Sequence, residues 1–431
     1  MARTRIVVTL GPATSSEGAI HRLIDAGANV FRLNFAHGTH AEHAATIDAV
    51  RRAAADRPVA IVADLAGPKL RLDQPVRGAP GDVVAIGLPP TVVRGDPVLL
   101  ADGLMQLEVI DASHARVIVG GDIPPGKGIN LPSSRLDLPA LTDKDRADLR
   151  FGVDHGIDFL ALSFVRRASD LDAVKAAGVP VVAKIEKAEA LSRLPEIVRA
   201  ADAIMIARGD LGVEIPIERV PIVQKEVIAL ANRAGKPAIT ATQMLRSMVD
   251  SPLPTRAEAT DVANAVLDGT DAVMLSEETA IGRFPTEAVA VMGRILAAAE
   301  AILPTRAGDV GPDIGELVAH AACEMAARVG AGAIVVPTRS GFTARQVARH
   351  RPRVPVVALT ASEATRRRLS LVWGVTAIAA PAFDDTEVLL ARFRDPVRAA
   401  GIVPDGTPIV VTAGWPAARP GQTNLVHVTS L

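Results

Sequence analysis

Ala203-Ile204-Met205-Ile206-Ala207-Arg208-Gly209-Asp210 opens as an unbroken apolar run and closes on charge. Seven other stretches share that form, at residues 5–9, 30–34, 60–64, 159–163, 181–186, 238–242 and 272–276. Continuously apolar strands are those buried on both faces of a parallel sheet. Helix-like segments follow most of them, at 15–26, 41–55, 143–155, 168–177, 189–200, 221–234, 256–267 and 286–302, with Ser15 and Thr142 as N-caps. Eight such strands predict an α/β fold built on a closed (β/α)8 TIM barrel, whose chemistry lies where the strands end.

The spacing breaks once. Residues 72–138 are rich in Gly and Pro and carry short β-like runs at 83–86, 97–100, 107–110 and 115–119. This predicts a β-rich domain over 70–138, hung from a barrel loop as a lid. The barrel then comprises 1–69 and 139–305. A linker over 303–308 leads to a separate α/β domain over 310–431, with strands at 333–336, 356–359, 375–378 and 408–411.

Composition narrows the function. The 431 residues carry 47 Lys and Arg against 48 Asp and Glu, for a net charge of -1, so no basic field points to nucleic acid. One cysteine, Cys323, excludes an internal disulfide framework and fits a reducing cytoplasm. No apolar leader precedes the first strand, and no apolar run reaches the ~18 residues of a membrane span. Both nucleotide signatures fail. Ala234-Gly235-Lys236-Pro237 has no Ser or Thr after its Lys, and Gly126-Lys127-Gly128 has no third Gly. Phosphate handling must come from the barrel mouth.

Lys184 and Glu186 stand two apart on one strand and therefore share a face. Asp210 ends the next strand. Glu186 with Asp210 makes a hard-oxygen pair suited to Mg²⁺ or Mn²⁺. Lys184 beside them concentrates positive charge where a migrating phosphoryl group needs it. A Lys–Glu ion pair capping a strand is the plainer account of the same two residues. Arg32 and Asn34 repeat the spacing, and Arg32 can grip a phosphate with its planar fork. The amides of Gly209 and Asp210 open a helical turn fit for a carboxylate, with Thr242 beside it.

These residues resemble the pyruvate kinase family. The stretches that carry the likeness are Thr9-Leu10-Gly11-Pro12-Ala13, Arg32-Leu33-Asn34-Phe35-Ala36-His37-Gly38, Gly67-Pro68-Lys69-Leu70-Arg71, Ala183-Lys184-Ile185-Glu186, Ala207-Arg208-Gly209-Asp210-Leu211-Gly212, Ala241-Thr242-Gln243-Met244-Leu245 and Met274-Leu275-Ser276-Glu277-Glu278-Thr279-Ala280. The resemblance implies transfer of the phosphoryl group of phosphoenolpyruvate to ADP, giving pyruvate and ATP. It implies Glu186 and Asp210 as ligands of Mg²⁺ or Mn²⁺, and Lys184, Arg32 and Ser163 as the phosphoryl grip. The amides of Gly209 and Asp210, with Thr242, would hold the substrate carboxylate. Thr242, Ser276 and Glu278 would form the proton route. Asn34 and His37, with Arg71, Asp102 and Lys127 from the lid side, would serve the nucleotide. It further implies a homotetramer, while the charge balance, the single cysteine and the short apolar runs lead to the expectation of a cytoplasmic protein with no nucleic-acid or membrane partner.

Four departures qualify the likeness. Ala36, Leu65 and Lys69 stand where the family commonly has Ser, Thr and Glu around a K⁺ ion. The expectation is that the Lys69 ammonium, with Asp64, replaces that ion and that K⁺ is not required. The lid is shorter than usual. Glu277 replaces a Gly. Thr338-Arg339-Ser340-Gly341-Phe342-Thr343 resembles an effector phosphate loop for a sugar phosphate or AMP, framed by Gly414-Trp415 and Thr423-Asn424, but Phe342 removes a basic residue. A metal-dependent lyase acting on pyruvate enolates, or a weakly catalytic regulator, would use the same carboxylates. The lyase leaves the lid and Lys127 unexplained, and retention of the whole set argues against the regulator.

Overall fold

The computed structural model describes residues 2–132, 139–303, 311–382, 388, 391–415 and 423–431. The strands, in chain order, begin with β1 (Arg5–Thr9), β2 (Val30–Asn34) and β3 (Ala60–Asp64). The insert supplies β4 (Val76–Gly78), β5 (Val83–Ala85), β6 (Pro97–Leu100), β7 (Met105–Asp111), β8 (His114–Val119), β9 (Gly121–Ile123) and β10 (Ile129–Asn130). Then come β11 (Phe159–Leu162), β12 (Val181–Ile185), β13 (Ala203–Ala207), β14 (Ala238–Ala241) and β15 (Ala272–Leu275). The last sheet has β16 (Ala333–Pro337), β17 (Val356–Thr360), β18 (Val375–Ala379), β19 (Pro408–Ala413) and β20 (Leu425–Ser430).

The eight apolar runs close into one parallel barrel in the order β1-β15-β14-β13-β12-β11-β3-β2. Alternation along each strand sorts its side chains. Val7, Val30, Val62, Ala161, Val182 and Met205 fill the barrel, and Leu371 from the C-terminal unit packs with them. Val8, Phe31, Ile61, Leu160, Ala183 and Ile206 face the surrounding helices.

Several boundaries move by a residue or two. The first helix is Glu17–Ala26 and its cap is Ser16, which accepts the Ala19 amide, rather than Ser15. Thr142 caps Asp143–Asp154 as expected, in a reciprocal box with Asp145. The segment 189–200 is two helices, Ala188–Leu191 and Leu194–Ala200. The charged end of the opening stretch is not strand: β13 stops at Ala207, and the helix Arg208–Glu214 carries Asp210 in its first turn.

The insert holds a sheet in the order β10-β6-β7-β8-β5 and a ribbon β4-β9. Four of its strands have two or three residues, and of these only β5 coincides with an expected run, while β4, β9 and β10 leave too little periodicity to be read from sequence. The C-terminal sheet runs β18-β17-β16-β19-β20, with β20 an antiparallel edge that the sequence reading missed. Among the described residues no helix is long and apolar enough to cross a membrane.

Cys323 lies on the helix Ile314–Arg328, and burial pushes its thiol up to about 12. Native protein at pH 8 is therefore expected to resist iodoacetamide for hours, as followed by mass spectrometry. Stoichiometric labelling within minutes would contradict that burial.

Candidate active site

Strand alternation delivers the polar groups to the mouth. Inward Val7 is followed by Thr9, Val30 by Arg32 and Asn34, Val62 by Asp64, and Val182 by Lys184 and then Glu186. Together with His37, Lys69, Asp102, Asp210, Thr242, Ser276 and Glu278 they line a cavity of about 590 Å³.

At its floor lies Asp64, 1% exposed. Arg32 Nε donates to Asp64 Oδ2 at 2.6 Å, and Lys184 Nζ stands 3.2 Å from Oδ1. Burial alone would raise this carboxyl, but the Lys184 and Arg32 charges outweigh it and hold it below the usual carboxylate range. Burial likewise opposes the Lys184 ammonium, yet Asp64 and Glu186 hold it above the ordinary lysine value. Lys184 is therefore a fixed cation. It also donates to Ser163 Oγ at 2.8 Å, and Ser163 donates to the Leu65 carbonyl at 2.8 Å. Ser163 thus orients Lys184 from below and does not line the cavity.

Glu186 Oε2 accepts the Phe164 amide at 2.8 Å. Phe164 sits at φ 57, a left-handed conformation costly for an aromatic residue and one that aims this N–H inward. Oε1 stands 2.8 Å from Lys184 Nζ but receives no aligned hydrogen bond. Burial pushes the carboxyl up, and the Asp210 charge adds to that. A desolvated carboxylate beside a second carboxylate fits a hard divalent cation. Among the described residues no three His, Cys, Asp or Glu side chains gather as a complete metal cage.

Thr242 and Gln243 have φ of 70 and 56. The sequence reading passed over the residue that secures them. Arg208 Nη2 donates to the Thr242 carbonyl at 2.6 Å, Nε to the Ala241 carbonyl at 3.2 Å, and Nη1 to Asp261 at 2.7 Å. Thr242 Oγ1 in turn accepts the Gly209 amide at 2.9 Å. The proton-route candidates divide. Glu278 is consumed by two amides, Leu245 at 3.0 Å and Ser276 at 2.7 Å, and so anchors the turn. Ser276 Oγ is buried without a partner. Glu277 pairs with Arg246 at 2.6 Å on the cavity rim, a partner thirty-one residues away that no spacing rule would single out. Gly11 is needed here, because a Cβ would stand 2.6 Å from the Ala280 carbonyl where the two loops meet. Thr9 accepts from Arg32 Nη1 at 3.1 Å, a contact that the two-residue alternation on β1 would have signalled.

Lys69 and Asp64, expected together, part company. Lys69 Nζ lies 3.3 Å from Asp210 Oδ1 and 3.5 Å from Asp102 Oδ1, while Asp64 is held by Arg32 and Lys184. Arg71 is exposed and donates to the Gly126 carbonyl, and neither it nor exposed Lys127 lines the cavity. In the C-terminal loop, Thr338 Oγ1 accepts the Gly341 amide at 2.9 Å, and the Arg339 carbonyl accepts from Thr365 at 2.7 Å. The Ser340 carbonyl accepts from Arg345, and Thr343 pairs with Thr423 at 2.8 Å. Trp415 and Asn424 are joined by two hydrogen bonds, and the loop between them falls largely outside the described residues.

Comparison with known proteins adds independent support. The family model "Pyruvate kinase, barrel domain" matches residues 1–87 and 83–289, two pieces that meet inside the insert. The model "Pyruvate kinase, alpha/beta domain" matches 316–429. Pyruvate kinase 2 of Synechocystis sp. is 43% identical over 465 residues, covering 99% of this chain and 79% of that protein. The pyruvate kinase of Geobacillus stearothermophilus is 44% identical over 472 residues, covering 99% and 80%. That of Staphylococcus aureus is 41% identical over 469 residues, with the same coverage. With its barrel and its C-terminal unit both matching, and relatives above 40% identical along its length, this chain belongs to the pyruvate kinase family of enzymes.

Proposed function

We propose that the chain transfers the phosphoryl group of phosphoenolpyruvate to ADP with a divalent metal and without K⁺. The observation that carries this reading is the meeting of Lys184, Arg32, Glu186 and Asp210 at one cavity. In the reaction an oxygen of the ADP terminal phosphate bonds to phosphorus as the enol oxygen leaves. Charge grows on the transferred group, and Lys184 and Arg32 stand ready to neutralise it without rearranging. Glu186 and Asp210 would hold Mg²⁺ or Mn²⁺, which supplies further charge neutralisation. The departing enolate of pyruvate then takes a proton on carbon. Ser276 Oγ, buried and unpartnered, is the donor-side group nearest to free, whereas Thr242 Oγ1, in the same cavity, already donates to the Ala241 carbonyl at 2.7 Å. Glu278 acts by holding Ser276 in place. Asn34, His37 and, from the lid side, Asp102, Arg71 and Lys127 would receive ADP.

A coupled assay for ATP from phosphoenolpyruvate, ADP and Mg²⁺ tests the reading, and absence of turnover would sink it. Activity on pyruvate alone, with carbon–carbon bond cleavage, would instead favour a lyase.

The Lys69 ammonium brings a covalently tethered positive charge beside Asp210, which is the basis for K⁺ independence. With tetramethylammonium in place of K⁺, the rate is expected to stay within about twofold. A drop beyond tenfold would remove the proposal. Family membership also supports a cytoplasmic homotetramer and a phosphate-bearing effector, a sugar phosphate or AMP, at residues 338–343.

A further inference from the structure

We propose that Lys69 couples the lid to the metal pair: docked Asp102 shares the ammonium that Asp210 would otherwise hold alone, so lid closure and divalent binding reinforce each other, and Gly128 keeps the path of the lysine open. The inference rests on the reading of Glu186 and Asp210 as metal ligands.

Lys69 lies at the entry to the insert, and its Nζ faces Asp210 Oδ1 at 3.3 Å and Asp102 Oδ1 at 3.5 Å. The two carboxylates come from different parts of the molecule. Asp210 is on the barrel helix Arg208–Glu214, and Asp102 is in the turn between β6 and β7. That turn is bent to deliver it. Ala101, Asp102 and Gly103 are successively left-handed, at φ 51, 58 and 91. Two L-residues in that region persist only when their surroundings impose it. Here the Ala101 amide donates to the Gly128 carbonyl at 3.0 Å and the Gly103 amide to the Leu100 carbonyl at 3.1 Å. Gly128 has a second effect. A Cβ on it would stand 2.5 Å from Lys69 Cε, so any larger residue must push the lysine arm aside. Its φ lies outside the left-handed region, so backbone conformation does not require glycine there, and the lysine arm is the nearest group a side chain would meet.

One ammonium carries one charge. With Asp102 undocked, that charge belongs to Asp210 and opposes a divalent cation at the same oxygen. With Asp102 docked, the charge is shared and the cation meets less competition. Linkage then requires that a bound cation favour docking by the same factor.

The test measures Mn²⁺ affinity of the full-length protein without substrates, by the electron paramagnetic resonance of free Mn²⁺. Lys69→Met is expected to tighten binding and Asp102→Ala to weaken it, each by about fivefold. In the Lys69→Met background, Asp102→Ala is expected to have no further effect. Gly128→Ala leaves every charge in place yet is expected to tighten Mn²⁺ as Lys69→Met does. Spin labels at V93C and E218C, on exposed lid and barrel positions, report the lid directly. Their distance distribution is expected to narrow with Mg²⁺ in the parent protein and to stay broad in Lys69→Met and Gly128→Ala. An equal Asp102→Ala effect in both backgrounds, or a Gly128→Ala protein with the parent affinity, would reduce the coupling to plain through-space electrostatics and overturn it. A Glu186→Gln protein that binds Mn²⁺ as tightly as the parent would instead overturn the metal-pair reading.

Discussion

Lys184→Met is expected to lower kcat by about 10³-fold or more while the protein remains folded, because a preorganised cation at a developing charge contributes on the order of 4 kcal/mol. The ammonium makes three contacts, at 2.8 Å to Glu186, 2.8 Å to Ser163 and 3.2 Å to Asp64. Methionine keeps the stem and deletes the charge. Asp64 retains Arg32 as its counter-ion, so the floor of the cavity survives. Glu186 loses its nearest cation, and its carboxyl, already raised by burial, rises further. The KM for phosphoenolpyruvate should change much less than kcat, since Arg32 still binds the ground state. Lys184→Arg is not a rescue, because a planar fork cannot reproduce three contacts made by a point donor. Steady-state assays alongside thermal melts decide the matter. A variant within tenfold of the parent kcat would remove Lys184 from the chemistry.

The second large effect is on stability. Arg351→Ala is expected to destabilise the protein by about 3 kcal/mol, the cost of breaking a buried ion pair from one side. Arg351 is 2% exposed, and its guanidinium donates to Asp271 at 2.9 Å, Asn232 at 2.9 Å and the Gly269 carbonyl at 2.6 Å. It also lies over the Trp373 ring, 4.9 Å from the centroid. Asp271, Asn232 and Gly269 belong to the barrel, whereas Arg351 follows the helix Phe342–Ala348 of the C-terminal unit. The first transition in a calorimetric scan should fall by about 5 °C. Arg351→Met, which keeps the stem against Trp373, should fall nearly as far. A shift under one degree in both would show that water replaces the guanidinium at no cost.

The barrel was legible because its strands are buried on both faces and so are apolar without interruption. The same two-residue alternation that fills the interior with Val62 and Val182 also pointed Asp64 and Lys184 at the mouth. What stayed hidden depends on backbone angles and on distant partners. Nothing near Thr242 announces a φ of 70, and Arg208, which secures it, looked like one more residue of a motif. Glu278 was read by its chemistry as part of a proton path, yet two amides claim both of its oxygens. Lys69 was assigned to Asp64 by family position. Its arm crosses Gly128 instead and reaches Asp210, a course set by a steric gap that spacing cannot reveal.

Leu371 seats in the end of the barrel away from the mouth, with Arg5 donating to the Val372 carbonyl beside it. The stopper thus comes from a stretch some sixty residues before the C-terminus. On the ribosome the eight strands emerge long before their plug does, and a chain released early would present an open apolar bore to its neighbours. Nascent chains truncated between the barrel and residue 371 should accordingly depend on chaperones for solubility, a demand that ends once Leu371 clears the exit tunnel.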